Sequence, residues 1–419
     1  MDVLIKNAKI ICSTSKHHGK KRDILIIDGK IEKIALNIST KIKKIIDVKN
    51  SFVSLGWVDV FSHFCDPGFE HKETLSTGRK VAAAGGYTDI CVLPNTNPII
   101  DSKSGVEYLT NKNHQELVQI HPIGAISQQC EGKKLAEMYD MKNSGAIAFS
   151  DGKKTINNPA LLLKALQYVK PFDGLIIQIP QEESIAKNGL MHESENSTKF
   201  GLSGIPTATE IISLQRDIEL NNYCESKIHF TGISSKEGVE IIKNAKKKNK
   251  QITCSTTPQH LNFCDEDLEN YDSNFKINPP LRSKKDQAAL LKAIEDGTID
   301  CIASHHTPQD IDAKKMEFEY AQEGVISLQT CFSQLLTAGI SIEKSIELIC
   351  EAPRKILNLE KQLEENEMAC LTIFETNTEW LFDKKSNQSQ SENSALMNKK
   401  MIGKIIAVIN NNQLFEHGK

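Results

Sequence analysis

The sequence predicts an α/β protein: a closed (β/α)8 barrel of the TIM type, with a small β-sandwich built from both chain ends. Three observations carry this. Eight short apolar runs recur through the middle of the chain, at 57–61, 89–94, 119–126, 145–150, 174–180, 227–234, 251–258 and 301–307. Helical stretches separate most of them, and strand–helix alternation implies parallel strands, eight of which close into a barrel. Both ends, by contrast, are rich in strand signals and poor in helical ones.

Taken in order, Asp2 to Cys12 and Asp23 to Ile34 mix alternation with β-branched residues, and Asp28-Gly29-Lys30 supplies hairpin turn chemistry. Helical patterning follows at Pro159 to Lys170, Thr207 to Asn221 and Lys236 to Asn249. Lys246 to Lys250 reads as a solvated helix end, where cations suit the helix dipole. Gly85-Gly86 reads as a helix-to-strand turn, since its spacing matches no phosphate-binding loop. Leu371 to Phe374 and Ile402 to Gln413 read as strands, and the polar tract 386–394 between them as a loose loop. The expected division is a sandwich from 1–52 plus 366–419 and a barrel from 53–365.

Composition bounds the function. The 419 residues carry 51 basic and 54 acidic side chains, a formal net charge of -3, which argues against a broad nucleic-acid-binding face. Mean hydropathy is -0.35, and no run approaches the roughly 18 apolar residues of a membrane helix. The N-terminus lacks the order of a signal peptide. Eleven cysteines, odd in number and without a C-x-x-C pair, fit a reducing cytoplasm better than a disulfide framework.

In this fold the active site gathers at the C-terminal ends of the strands. Those ends read Asp59 to Gly68 (DVFSHFCDPG), Leu93 to Pro98 (LPNTNP), FSDG with Asp151, Thr257 to Leu261 (TPQHL), and Ile302 to Gln309 (IASHHTPQ). With Lys72 to Pro98, Gly204 to Asp217, Asn278 to Arg282 (NPPLR) and Glu295 to Ser304, the pattern resembles the dihydroorotase family of the amidohydrolase superfamily along nearly the whole chain. The resemblance implies reversible cyclisation of carbamoyl aspartate to dihydroorotate. One or two zinc ions would polarise the carbonyl and activate a water, with an aspartate of the eighth strand as acid/base.

Residue by residue, the pattern breaks at the chemistry. Where the family has His-x-His followed by a carboxylate-binding arginine, this chain has Phe61, His63 and Cys65. The fifth-strand ligand histidine is Ile179, and the sixth-strand one is Gly232. His229 lies at an odd spacing from 232 and is expected to face away. The acid/base position is His305, and the final substrate-contacting histidine is Gln309. Phenylalanine and isoleucine have no donor for a metal, and a thiol cannot make the paired contact of a guanidinium.

What remains is His63, Asp151, Asn95 and Asn278. Asn95 and Asn278 stand where the family holds substrate, although Asn95 equally suits a turn. His63, Asp151 and His305 occupy the first-metal positions and define an alternative one-zinc site; the reading preferred here has no cofactor, with apolar side chains filling the mouth. Cys65 lacks an evident activating base and reads as an inert thiol. The resemblance points to non-catalytic dihydroorotase-like chains that assemble with aspartate carbamoyltransferase. The expected role is thus a structural or regulatory subunit, homo-oligomeric as family members commonly are. Two alternatives are an active amidohydrolase with a rebuilt site and a small-molecule binder using the old pocket.

Overall fold

The computed structural model describes residues 1–47 and 51–417. The N-terminal strands are β1 (Val3–Ile10), β2 (Lys21–Ile27), β3 (Lys30–Ala35), β4 (Ile45–Asp47) and β5 (Phe52–Leu55). β1, β2 and β3 form an antiparallel meander. Asp28 and Gly29 turn the β2–β3 hairpin with φ of 49° and 76°, the paired positive φ that an Asp-Gly turn accommodates.

The barrel strands are β6 (Trp57–Ser62), β7 (Tyr87–Val92), β8 (Gln119–Gly124), β9 (Ala148–Phe149) and β10 (Leu175–Gln178). A short parallel pair, β11 (Met191–His192) and β12 (Gly204–Ile205), lies apart from the barrel. β13 (Lys227–Phe230), β14 (Ile252–Thr256) and β15 (Cys301–Ile302) complete it. Each of the eight apolar runs overlaps one of these strands. Their pairings are parallel in chain order. A parallel bridge between Ser62 and His306 joins the first strand to the last. The buried Asp59 carboxylate reinforces this closure: it accepts from the Ser304 amide at 2.7 Å, the Ser304 hydroxyl at 2.8 Å and the Ser62 hydroxyl.

Alternation sorts the side chains. Val58, Val60, Cys91, Ile123, Ile177 and Cys301 fill the barrel interior, while Ile90, Ile120, Ile176, Ile228 and Ile302 pack outward against the helices. The helix Leu75–Ala84 stops at Gly85, and Gly86 (φ 92°) feeds β7. A Cβ on Gly85 would stand 2.5 Å from the Leu328 carbonyl oxygen, so this pair is a close-packed turn. The helix Lys236–Lys248 ends in the basic run as expected, with Lys246 paired to Asp300 at 2.7 Å.

The C-terminal strands are β16 (Leu371–Phe382), β17 (Lys399–Asn410) and β18 (Gln413–Glu416). β16 pairs antiparallel with both β5 and β17, so one eight-stranded sheet draws on both chain ends. The 386–394 tract corrects the expectation of a loose loop. The Ser389 hydroxyl and the Gln390 amide both donate to the fully buried Glu73 carboxylate. Gln390 Nε2 bonds the carbonyls of Glu70 and His71, and Ser391 Oγ bonds that of Lys72. Asn393 ties to Gln309 and Thr307. Its serines and asparagines, which read as solvent-loving in the sequence, are spent on the rim of the barrel. Among the described residues no helix is long and apolar enough to cross a membrane.

Candidate functional site

The mouth is built at the strand ends. β6 runs out through Ser62 into His63, Phe64 and Cys65, the last with φ of 62°. His63 has both ring nitrogens engaged. Nε2 lies 3.0 Å from the Asn95 carbonyl, which can only accept, so Nε2 carries the proton. Nδ1 is then the acceptor for the Cys65 thiol at 3.1 Å. The pair has the makings of a thiol–imidazole dyad, but burial opposes it. Desolvation pushes the Cys65 thiol up to about 12 and holds the His63 pKa well below its ordinary value, so both stay neutral. All eleven cysteines are free and buried. Native protein is therefore expected to show less than about one fast-reacting thiol toward a disulfide reagent, against the full set in denaturant. One stoichiometric fast thiol lost on Cys65→Ser would reveal an exposed, activated Cys65.

Asp151 follows β9 and is held from a single direction. Its carboxylate accepts from the Ser127 amide at 2.8 Å and from the Ser127 hydroxyl. Burial raises its pKa to about 6 against those hydrogen bonds. Asn95 engages both ends of its amide with the same loop: Nδ2 donates to the Asp151 carbonyl at 2.9 Å, and Oδ1 accepts from the Lys153 amide at 2.9 Å. Its role in this structure is a turn clamp.

His305 lies across the opening with its ring 4.6 Å from that of Phe61, and burial lowers its pKa to about 3. Its Nε2 is 2.8 Å from Thr231 Oγ1, which accepts from Ser255 Oγ at 2.9 Å. Ser255 Oγ in turn lies 3.0 Å from His229 Nε2, whose Nδ1 meets Thr253 Oγ1 at 2.9 Å. A directed chain of hydrogen bonds thus runs inside the barrel from β14 and β13 to the eighth-strand end. His229 does not face away: it points inward, in phase with Thr231. The spacing argument fails because β13 ends at Phe230 and Gly232 takes φ of 77°, so position 232 is out of strand phase. A Cβ on Gly232 would stand 3.0 Å from His305 Cε1 and 2.9 Å from Pro279 Cδ. His305 occupies the space a larger side chain at 232 would need.

His306 turns the other way. Its Nδ1 accepts from the Ser327 amide at 3.1 Å, and its Nε2 lies 3.7 Å from Glu73 with no hydrogen bond. Gln309 is structural: it accepts from Lys72 Nζ at 2.8 Å and donates to the Glu323 carbonyl at 2.8 Å. Asn278 reaches the cavity at the mouth, beside Phe61, Ile179 and His305.

Curated relatives that match nearly the whole chain carry the name dihydroorotase. A dihydroorotase from Acetivibrio thermocellus is 37% identical over 410 residues, with 96% of each chain covered. The chain belongs to the dihydroorotase family. A dihydroorotase from Elusimicrobium minutum is 38% identical over 412 residues, covering 97% of this chain and 95% of its own. The family model described as Dihydro-orotase-like matches residues 51–238. Among solved structures, L-hydantoinase (dihydropyrimidinase) from Arthrobacter aurescens shares the fold with a TM-score of 0.86 at 22% identity, over 100% of this chain and 97% of its own. Dihydropyrimidinase from Brevibacillus agri NCHU1002 does so at a TM-score of 0.81 and 17% identity, over 100% and 96%.

Against the dihydroorotase pattern, the residues present do not fit the zinc centre that the resemblance implies. His63, Asp151 and His305 turn their donor atoms to Asn95 and Cys65, to Ser127, and to Thr231 respectively. Among the described residues, no three His, Cys, Asp or Glu side chains gather so as to hold a metal ion. Phe61 and Ile179 are buried at two of the vacated ligand positions.

Sequence reasoning passed over three residues that shape the mouth: Glu73, Lys153 and Gln259. Lys153 stands two residues past Asp151 and Gln259 inside TPQHL, both at strand ends, so position alone was a signal for them. Glu73 had none, because its partners arrive from residues 389–390.

Proposed function

We propose that this dihydroorotase-family chain belongs to pyrimidine synthesis but no longer interconverts carbamoyl aspartate and dihydroorotate, and that it serves aspartate carbamoyltransferase as a structural or regulatory partner. The observation that carries the reading is His305. A general acid/base needs a pKa near the working pH and a free proton-carrying atom in the pocket. This imidazole has a pKa lowered to about 3, lies against Phe61, and commits Nε2 to Thr231. Cys65, with its thiol kept neutral by burial, cannot replace the arginine that fixes the substrate carboxylate. The partner half is supported by what was kept. The full frame, barrel and shared sheet alike, surrounds a mouth refitted with Phe61 and Ile179, as suits a chain selected for its shape.

The test is an assay of purified, zinc-supplemented protein beside an active family member, followed by co-purification with aspartate carbamoyltransferase from the same cell. Turnover at least roughly a thousandfold below the control is expected, because several members of one catalytic unit have changed together. A stable complex with the transferase is expected as well. Turnover within tenfold of the control would sink the proposal, and with stoichiometric zinc would favour a rebuilt one-zinc site.

A further inference from the structure

The opposite end of the barrel carries an inference that does not depend on the reading of the mouth. There, at the N-terminal ends of β9, β10 and β13, the apolar cluster inside the barrel comes to the surface. Leu175 and Leu357 belong to that cluster, and Ile147, Ile356 and Leu359 pack on it half-buried. Together they floor an open groove of about 250 Å³. Active sites of this fold gather at the other face, so the groove lies apart from the reacting end of the barrel.

The rim of the groove is charged. Lys227, at the start of β13, pairs with Asp173 at 2.5 Å, and the Asp173 side chain is 66% exposed. Lys142 comes from the end of the helix Met138–Asn143 and is half-buried. Among the described residues its ammonium makes no hydrogen bond and no ion pair. Burial lowers its pKa, while Asp173 and Lys227 act on it in opposite directions. His121 lines the same space and is held through Nε2 by Asp89 at 2.9 Å, whose charge is also met by Arg354. The lining thus sets two ammonium groups against one carboxylate, and that carboxylate already has its partner. Partial desolvation of an ammonium without a counter-charge is costly. One uncompensated cation over an apolar floor is the composition of a site for a small anion: a largely apolar surface with a few placed polar groups.

We infer that this groove binds a small organic carboxylate with an apolar body. Lys142 pairs with the carboxylate, Lys227 stays with Asp173 at the flank, and the body lies over Ile147, Leu357 and Leu359. A single net positive charge suits a monoanion, whereas a doubly charged phosphate would also meet the Asp173 carboxylate. The position gives binding a structural consequence. Leu359 and His121 are both tied to Arg354: its Nη1 donates to the Leu359 carbonyl at 3.0 Å, and Asp89 bridges its Nη2 to His121. The same guanidinium holds the Gly56 carbonyl just before β6. A ligand in the groove therefore braces the segment that leads from the barrel towards β16, and it stabilises the folded chain by mass action.

Isothermal titration of the full chain with 3-phenylpropionate and its neutral amide, 3-phenylpropionamide, tests this. The carboxylate is expected to bind at least roughly tenfold more tightly, and to raise the unfolding temperature more at equal concentration. Lys142→Met should remove that preference and leave the weak binding of the amide unchanged, while Leu359→Ser should weaken both probes. Asp173→Asn should tighten the carboxylate, because it removes the competing charge. Lys153→Met, at the mouth, should change neither affinity, which separates this groove from the other end of the barrel. If Lys142→Met does not fold, Lys142→Arg and the salt dependence of wild-type binding take its place: the arginine variant should keep the preference, and salt should erode it. Equal affinity for the two probes, a Lys142→Met variant that binds like the wild type, or a preference lost in Lys153→Met instead would each overturn the inference. So would no binding of either probe at millimolar concentration, or displacement of 3-phenylpropionate by an equal concentration of inorganic phosphate.

Discussion

Replacing Arg354 by methionine is expected to destabilise the fold by about 3–5 kcal/mol, the usual consequence of removing one partner of a buried ion pair. The guanidinium is 2% exposed. Its Nη2 donates to Asp89 Oδ2 at 2.8 Å, the Gly56 carbonyl at 2.6 Å and Thr88 Oγ1 at 3.0 Å, while Nη1 reaches the Leu359 carbonyl at 3.0 Å. It joins the start of the barrel to the chain leading into β16, with Cys370 Sγ 3.6 Å from the same nitrogen. Asp89 feels the consequence. Its burial would raise its pKa, yet His121 and Arg354 hold it far below the ordinary carboxylate range. Without Arg354, a buried carboxylate keeps only His121 and the Thr88 hydroxyl, and loses its guanidinium counter-charge. Urea unfolding should show the loss. The double variant Arg354→Met with Asp89→Asn should recover at least about 1 kcal/mol relative to additivity, because the uncompensated charge is gone. A single-variant cost under about 1 kcal/mol would mean that the pair contributes little to holding the two parts together.

The second large effect is on pH dependence. His229 is buried in the barrel interior, and desolvation lowers its pKa to about 3. The unfolded chain binds that proton near pH ~6.5 and the folded chain does not. Stability from this group is therefore full above pH ~6.5 and falls as the pH drops, by about 1.4 kcal/mol per unit, until the folded pKa is reached. Asp151 and Asp217, both raised to about 6, act with the opposite sign: they gain stability as the pH falls from about 6 toward the ordinary carboxylate value. The whole-protein profile thus mixes opposing groups, and the difference between two proteins isolates one. His229→Gln, whose amide can still meet Thr253 and Ser255, should be less stable than the wild type near pH 7.5. The gap should narrow by about 2 kcal/mol by pH ~5. Parallel pH profiles would show that His229 is not the neutral, buried group described. His260 and His305, lowered to about 4 and about 3, are expected to behave in the same sense.

The barrel was legible because its signals are local. Short apolar runs, repeated eight times and mostly separated by helical stretches, mark strands that must bury both faces. Even β9 and β15, two residues each, fall inside runs marked by this pattern. The hairpin at Asp28-Gly29 and the turn at Gly85-Gly86 were legible for the same reason: glycine at a tight turn is read one residue at a time. The departures at Phe61, Ile179 and Gly232 were equally visible, since a side chain without a donor atom is without one in any fold, and those at Cys65, His305 and Gln309 because the residue type itself differs from the pattern.

The sequence by itself therefore determined the architecture and which chemical groups stand at the strand ends. The tertiary structure decided which of those groups are spoken for. Asn95 and Asn278 have the same side chain at two strand-end loops; the first spends its amide on Asp151 and Lys153, and the second leaves it facing the cavity. His229 turns inward to His305 through Ser255 and Thr231, and residues 389–390 close on Glu73 from more than three hundred positions away. A hydrogen bond needs its partner within about 3 Å and correctly aimed. Closure of the barrel brings those partners together from distant segments, so local pattern could not assign them.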